Sequence, residues 1–396
     1  MSRLYKIWTH AFKVNFLFII AYASLFSSVK AQQVIEKQDI HTFEKSQYEK
    51  VDFFADASPL TKEKCDGVIY ISEGENFYKR ILPIQGMVNV KWFGAKGNGD
   101  KNDKGTDDTE AVKKAIEVLS RIYKGYPLSG GNVYAGFTLY FPAGKYIVSE
   151  TIKLPNGITL RGESVVSTII HAKTPKILFT NIQGFGKNGI EQIASENVTV
   201  EHITLTQGGI ELQQATGSLI KDVRIMNLSG KGTDTGIIIR LSVNLKIENV
   251  KIFGSSGVGI HYEDAAGTGP STTTTLDRIW VAHCKTGMLV DGKTGGSHGI
   301  FSSKIYNSIF EYNDIGLEFK GNVENFSVRD SHFEQNRKNT ILISGRAKIF
   351  FENNWTDKGG ITIQSNTDKN SKIFLKEDGM PVDNLSSINN IFYQQK

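Results

Sequence analysis

VEHITL at residues 200–205, IKDVRI at 220–225, IENVKI at 247–252, LDRIWV at 276–281, IYNSIF at 305–310, VRDSHF at 328–333 and FFENNW at 350–355 are seven versions of one strand pattern. Their third residues, His202, Asp222, Asn249, Arg278, Asn307, Asp330 and Glu352, fall in one register. A second pattern alternates with the first: GIELQ, GIIIR, GIHYE, GMLVD, GLEFK, TILIS and GITIQ, starting at 209, 236, 259, 287, 316, 340 and 360. Copies of either pattern recur every 20 to 29 residues. Each is a strand of about five residues with no amphipathic helix beside it, so it cannot bury its apolar face alone. Stacked neighbours can. Strands one coil apart then pair in parallel at roughly 4.8 Å, with Val, Ile, Leu and Phe turned inward. This predicts an all-β chain whose architecture is a right-handed parallel β-helix. A leucine-rich repeat would need regularly placed leucines and an asparagine, and a propeller blade four strands in a longer period.

The chain has 396 residues. Residues 1–13 are basic and free of acidic side chains, and an apolar run of about 13 residues and SSVKA follow. The run is shorter than the ~20 residues a span needs. It reads as a signal peptide cut after Ala31, which implies a secreted or periplasmic protein with no membrane span in the mature chain. Four of the 46 basic residues leave with it, so 42 basic face 41 acidic. Such a balance gives no support to nucleic acid as a partner, which would need a clustered basic surface. The two cysteines, Cys65 and Cys284, form no metal or redox spacing and read as single buried thiols.

Residues 32–87 form an N-terminal extension with strand-like GVIYIS and NFYKRIL. At residues 107–122, Asp107 reads as an N-cap with Glu110 three residues later. Val112, Ala115, Ile116, Leu119 and Ile122 recur there at helical spacing, and Gly125 and Pro127 follow. A helix over about 108–124 would cap the first rung of a β-helix over 88–364. The loop GNGDKNDKGTDD (97–108) lacks the spaced ligands and terminal Glu of an EF-hand, so no metal is expected there. Residues 365–396 read as a closing segment.

WFGAKGNG (92–99), TDDTEAVKKAI (106–116) and FPAGKYIVSETIKLPNGITLRGES (141–164) together resemble the opening of pectate-lyase-like proteins of the rhamnogalacturonase and epimerase type. That superfamily also holds polygalacturonase-type glycosyl hydrolases and many phage tailspike depolymerases. The resemblance is specific over residues 88–170 and continues as repeat style to 364. It implies a right-handed β-helix with a polysaccharide as the usual ligand, and a monomer or, by the tailspike likeness, a homotrimer. It leaves the reaction open, since one scaffold carries lyases, hydrolases, epimerases and binders. The polygalacturonase pattern of NTDG, GDD, GHG and RIK is absent. GTDTG (232–236) and SHG (297–299) are partial echoes in which Asp234 and His298 read as turn residues.

Aligning the second pattern on its glycine puts Gln213, Arg240, Glu263, Asp291, Lys320, Ser344 and Gln364 in one outward column. Glu211, Ile238, His261, Leu289, Glu318, Leu342 and Thr362 form a second column on the same face. Glu263 and Asp291 would sit roughly 5 Å apart on adjacent rungs, with Arg240 below and Lys320 above. Two carboxylates that close couple their protonation. They suit a retaining hydrolase. They also suit a lyase, in which a base takes the proton beside a uronate carboxylate while Arg, Lys or a bound calcium neutralises the developing charge. The candidate catalytic residues are Glu263, Asp291, Arg240, Lys320 and His261, and the candidate substrate-binding residues Glu318, His298 and Glu211. The same column also reads as a ladder of cross-strand ion pairs, each worth about 0.2–1 kcal/mol. The longest departures from the repeat, residues 265–275 and 292–303, directly follow Glu263 and Asp291 and are placed to wall a groove. These features predict a polysaccharide-active protein. Lyase cleavage of an acidic glycan leads, hydrolase or epimerase action follows, and a binder or adhesin is the alternative from another class.

Overall fold

Short strands whose apolar residues alternate with polar ones can be satisfied only by neighbours one coil away, and that pairing organises the chain from Met87–Asn89 to Ile391–Gln394. The computed structural model describes residues 33–84, 86–123, 136–185, 192–228, 234–264, 269–293, 299–376, 381–383 and 391–394. In it, 27 strands join into one hydrogen-bonded system of parallel pairs. One line runs through Leu219–Leu228, Lys246–Ser255, Thr275–Asp277, Lys304–Tyr306, Ile315–Arg329, Arg346–Glu352 and Lys372–Lys376. A second runs through Thr199–Gln213, Thr235–Arg240, Val258–Glu263, Thr286–Gly292, Ile315–Arg329, Asn339–Ile343 and Ile361–Ile363. The core is a stack of inward residues, among them Ile239, Tyr262, Val290, Phe319, Phe326 and Phe351, all essentially without solvent contact.

The recurring polar residue of the first pattern bends the strand. His202, Asp222, Asn249, Arg278, Asn307 and Asp330 have φ between 49° and 57°, the left-handed region that Asn and Asp tolerate best. They also bond along the stack, Asn249 Nδ2 donating to Asp222 Oδ1 at 2.5 Å and Asn353 Nδ2 to Asp330 Oδ1 at 2.7 Å. The seventh member of this column is Asn353 (φ 54°), not Glu352, because Arg329 pairs with Glu352 and Asp330 therefore faces Asn353.

The glycines of the second pattern have a different cause. A Cβ at Gly236 would lie 2.7 Å from the Gly259 carbonyl oxygen, one at Gly259 2.5 Å from that of Gly287, and one at Gly287 2.5 Å from that of Gly316. Adjacent coils approach too closely there for a side chain.

The helix, α1, spans Thr109–Ile122, and Asp108 is its N-cap rather than Asp107. Asp107 instead accepts from the Thr109 amide at 3.1 Å. The Asp108 carboxylate accepts from the amides of Lys96 (2.6 Å) and Gly97 (3.1 Å), fixing the loop that follows Trp92. Gly97, at φ 58°, lies against the Tyr146 ring, which a Cβ would meet at 2.7 Å. The quoted motifs are thus packed against one another. Parallel pairing also continues past residue 364, where Lys372–Lys376 and Ile391–Gln394 add strands that carry no glycine signature.

Residues 33–39 and 43–81 belong to a separate unit, a four-stranded antiparallel sheet built from Val34–Gln38, Lys45–Lys50, Asn76–Arg80 and Tyr70–Glu73. Its buried ion pair joins Arg80 to Asp39 at 2.6 Å, and Arg80 Nε also donates to Tyr48 Oη at 3.0 Å. Both cysteines are free thiols; Cys284 is buried as expected, while Cys65 is half-exposed. The signal peptide over residues 1–31 and the candidate His298 lie outside the described residues. No helix among the described residues is long and apolar enough to cross a membrane.

Candidate functional site

Backbone pairing places the charged column as the alternation requires: Gln213 faces Arg240, Arg240 faces Glu263, Glu263 faces Asp291, and Asp291 faces Lys320. The second column pairs Glu211, Ile238, His261, Leu289, Glu318 and Leu342 in the same way. Glu211, Arg240, His261, Glu263, Asp291, Glu318 and Lys320 therefore share one face, on strands held by the buried residues between them.

The side chains are not equally available. Arg240 pairs with both Glu211 and Glu263. Glu263, 6% exposed, also takes Lys293 Nζ at 2.9 Å and has His261 Nε2 at 3.8 Å. Burial pushes the Glu263 carboxyl up, but Lys293 and Arg240 outweigh it and hold the group below the ordinary glutamate range. Asp291 is looser, with Lys320 Nζ at 3.9 Å and His261 Nε2 at 4.0 Å. Glu318 makes no hydrogen bond or ion pair to the described residues. Burial raises its carboxyl above the usual range, Lys320 opposes that, and the Asp291 charge adds to it. His261 is pushed below the ordinary histidine range by burial, against the pull of Glu263 and Asp291, and its buried Nε2 finds no hydrogen-bond partner.

Two residues escaped the column reading. Lys293 continues the same alternation, two residues past Asp291, and was legible by extending the strand by one step. Asp264 is fully buried directly after Glu263. Its Oδ1 accepts from the Lys293 amide at 2.8 Å, and burial lifts its carboxyl above the ordinary range. The two long departures begin here. Their described parts run as paired strands, Ser271–Thr272 beside Ile300–Phe301, while residues 265–268 and 294–298 fall outside the described residues. Among the described residues no group of three or more His, Cys, Asp or Glu side chains is placed to hold a metal ion. The arrangement can therefore supply a proton-holding carboxyl at Glu318, a second carboxylate at Asp291 and a half-exposed ammonium group at Lys320.

Fold and outward columns define a parallel β-helix of the pectate-lyase-like class. The chain belongs to the rhamnogalacturonase A/epimerase, pectate lyase-like family, whose model matches residues 87–308. A preneck appendage protein of Bacillus phage PZA is 24% identical over 314 residues. That match takes in 76% of this chain and 30% of the phage protein, so the chain spans less than a third of that relative's length. Among solved structures, the enzymatically active domain of bacteriophage CBA120 tailspike protein 2 superposes with a TM-score of 0.57 at 13% identity, over 94% of this chain and 55% of that one. The Streptococcus pneumoniae surface protein and adhesin PfbA superposes with a TM-score of 0.53 at 16% identity, over 78% of this chain and 97% of that one. Both likenesses concern the fold. The family and these relatives make this a parallel β-helix protein of the pectate-lyase-like kind.

Proposed function

We propose that the face carrying Asp291 and Glu318 cleaves an acidic, uronate-containing polysaccharide by β-elimination outside the cell, with α1 capping the first rung of a right-handed helix. The observation that carries this is the asymmetry between neighbours: Glu318 holds its proton more tightly than an ordinary glutamate, while Asp291 has the half-exposed Lys320 ammonium at 3.9 Å. In the elimination, Lys320 meets the substrate carboxylate and stabilises the charge that develops as the adjacent proton leaves. The Asp291 carboxylate accepts that proton, and Glu318 donates one to the departing glycosidic oxygen. Arg240 and Glu263 hold the frame, since each is engaged by partners within the column, and His261 Nε2 lies 3.8 Å from Glu263 and 4.0 Å from Asp291. Glu211 anchors Arg240.

A second reading is a solenoid that binds polysaccharide without cleaving it, as an adhesin or tailspike-like appendage. The linked pairs Glu211–Arg240–Glu263–Lys293 favour it, because they saturate one another. The discriminating experiment incubates the protein with a panel of uronate polysaccharides and follows the ultraviolet absorbance of the unsaturated product. A rise that Asp291→Asn and Glu318→Gln each abolish supports the elimination. Reducing ends without that absorbance mean a hydrolase, and retention on the polysaccharide with neither product means a binder. Light scattering on the same sample decides between monomer and homotrimer.

A further inference from the structure

On another face, two neighbouring outward columns leave a gap. One column pairs Thr275, Lys304, Ser327, Phe350 and Phe374, and its neighbour pairs Asp277, Tyr306, Arg329, Glu352 and Lys376. Side chains in such a column stack at roughly 4.8 Å, so a small residue between two long ones opens a hole. Ser327 is that residue, between Lys304 and Phe350. The result is an open depression of about 340 Å³, within the ~300–1,000 Å³ of small-ligand clefts.

Its lining is chemically one-sided. Lys304 has no carboxylate partner among the described residues; its Nζ lies 5.5 Å from the Tyr306 ring centroid. Arg329 meets Glu352 Oε2 at 3.2 Å and Ser327 Oγ at 3.1 Å, both through Nε. Its terminal nitrogens remain as a fork suited to a carboxylate. Glu352 is itself held by Lys376 at 2.6 Å. The exposed Asn325 adds an amide, and Lys348 Nζ stands 5.9 Å from the Phe350 centroid. No carboxylate lines the depression among the described residues. Phe350 stacks on Phe374 at 4.5 Å and 9°, so its ring is held flat along the column. A fixed aromatic face meets the C–H edges of a sugar ring, whose partial positive charge complements the π-cloud.

We propose that this depression is a binding subsite for one anionic sugar residue of a polysaccharide, with Lys304 and Arg329 on its acidic group, Asn325 and Ser327 on its hydroxyls, and Phe350 against its ring. It is separate from the Asp291 and Glu318 face and stands whether or not that face is catalytic.

The test is isothermal titration of short oligogalacturonides into protein carrying Asp291→Asn, which isolates this subsite from turnover, with and without Lys304→Glu or Ser327→Phe. The expected result is binding that weakens by about 10-fold or more in either variant, consistent with loss of charge-assisted hydrogen bonds or a filled gap. Uncharged oligomers of the same length should bind as weakly to the parent as the charged ones do to Lys304→Glu. Unaltered thermal midpoints show that the variants fold, and Lys304→Gln provides a second, milder replacement. Equal affinity in parent and variants, or competition by inorganic sulfate as effective as by the sugar, would overturn the proposal.

Discussion

Replacing Arg240 by leucine should cost stability in a way that depends on pH. Arg240 is 29% exposed and neutralises Glu211 and Glu263, the latter only 6% exposed. Breaking a fully buried pair costs about 3–5 kcal/mol because it strands a charge. Here Lys293 stays on Glu263 and water reaches part of the guanidinium, so about 2 kcal/mol is the expected loss at neutral pH. At a few degrees per kcal/mol, that lowers the midpoint of thermal unfolding by roughly 5 °C. The sign with pH follows from linkage. Glu263 titrates lower in the folded chain than unfolded, so its contribution is present above the ordinary glutamate range and is lost as pH falls through the folded value. The deficit of Arg240→Leu should therefore shrink as Glu263 protonates. The assay is circular dichroism melting near neutral pH and near the acid limb, on parent, Arg240→Leu and Arg240→Leu/Glu263→Leu. The double variant should recover stability, because it removes the stranded charge. A deficit of the same size at both pH values, or one the second leucine deepens, would refute the view that these ion pairs carry the cost.

Two further outcomes bear on the frame. Gly287→Ala forces a Cβ to within 2.5 Å of the Gly316 carbonyl oxygen and should cost about 1–3 kcal/mol in chemical denaturation; an unchanged midpoint would mean the coils can separate there. In histidine NMR, the His261 imidazole should stay neutral to lower pH than the ordinary histidine range, since burial lowers it against two neighbouring carboxylates. Its contribution to stability is present above the unfolded value and is lost as pH falls through the folded one, so a His261 titration at or above the ordinary range would sink the assignment.

Much of the frame was legible because a solenoid writes its structure as columns. The polar bends at His202, Asp222 and Asn249 and the glycines at 236, 259 and 287 are visible as repeats because each answers one local demand, a left-handed φ or a close approach. Where that demand is met twice in a row, the reading slips. FFENNW offers two phenylalanines and two asparagines, so alternation alone could not choose between Glu352 and Asn353, and a one-residue shift exchanges faces. The closing segment was open between a short strand and a loop because Lys372–Lys376 and Ile391–Gln394 lack both signatures, although Lys372–Lys376 buries Ile373 and Leu375 like the rungs before it. The site was legible as a set of positions but not as a set of states. Glu263 and Glu318 are both outward glutamates in the sequence. Only the three-dimensional surroundings show that one is held by two cations and the other by none.

That contrast gives a general way to locate function on this fold. In a parallel stack every outward residue has a neighbour above and below at fixed spacing, so opposite charges can pair along the column and neutralise one another. Glu211, Arg240, Glu263 and Lys293 do so, which leaves little for a ligand to gain by displacing them. Groups with chemistry to offer are those the stack fails to pair: Glu318, beside an aspartate, and Lys304, beside the gap at Ser327. Glu318 lies on Ile315–Arg329, the longest described strand between the two long departures and the C-terminal end, and Lys304 pairs with Ser327 of that strand from the coil before it. A single strand thus contributes Glu318 and Lys320 to one face and Ser327 and Arg329 to the other, with its bends at Gly321 and Asn325 dividing them. An extended polysaccharide, the ligand proposed for both faces, would engage them together, since its successive sugars are covalently linked and each contact raises the effective concentration of the next.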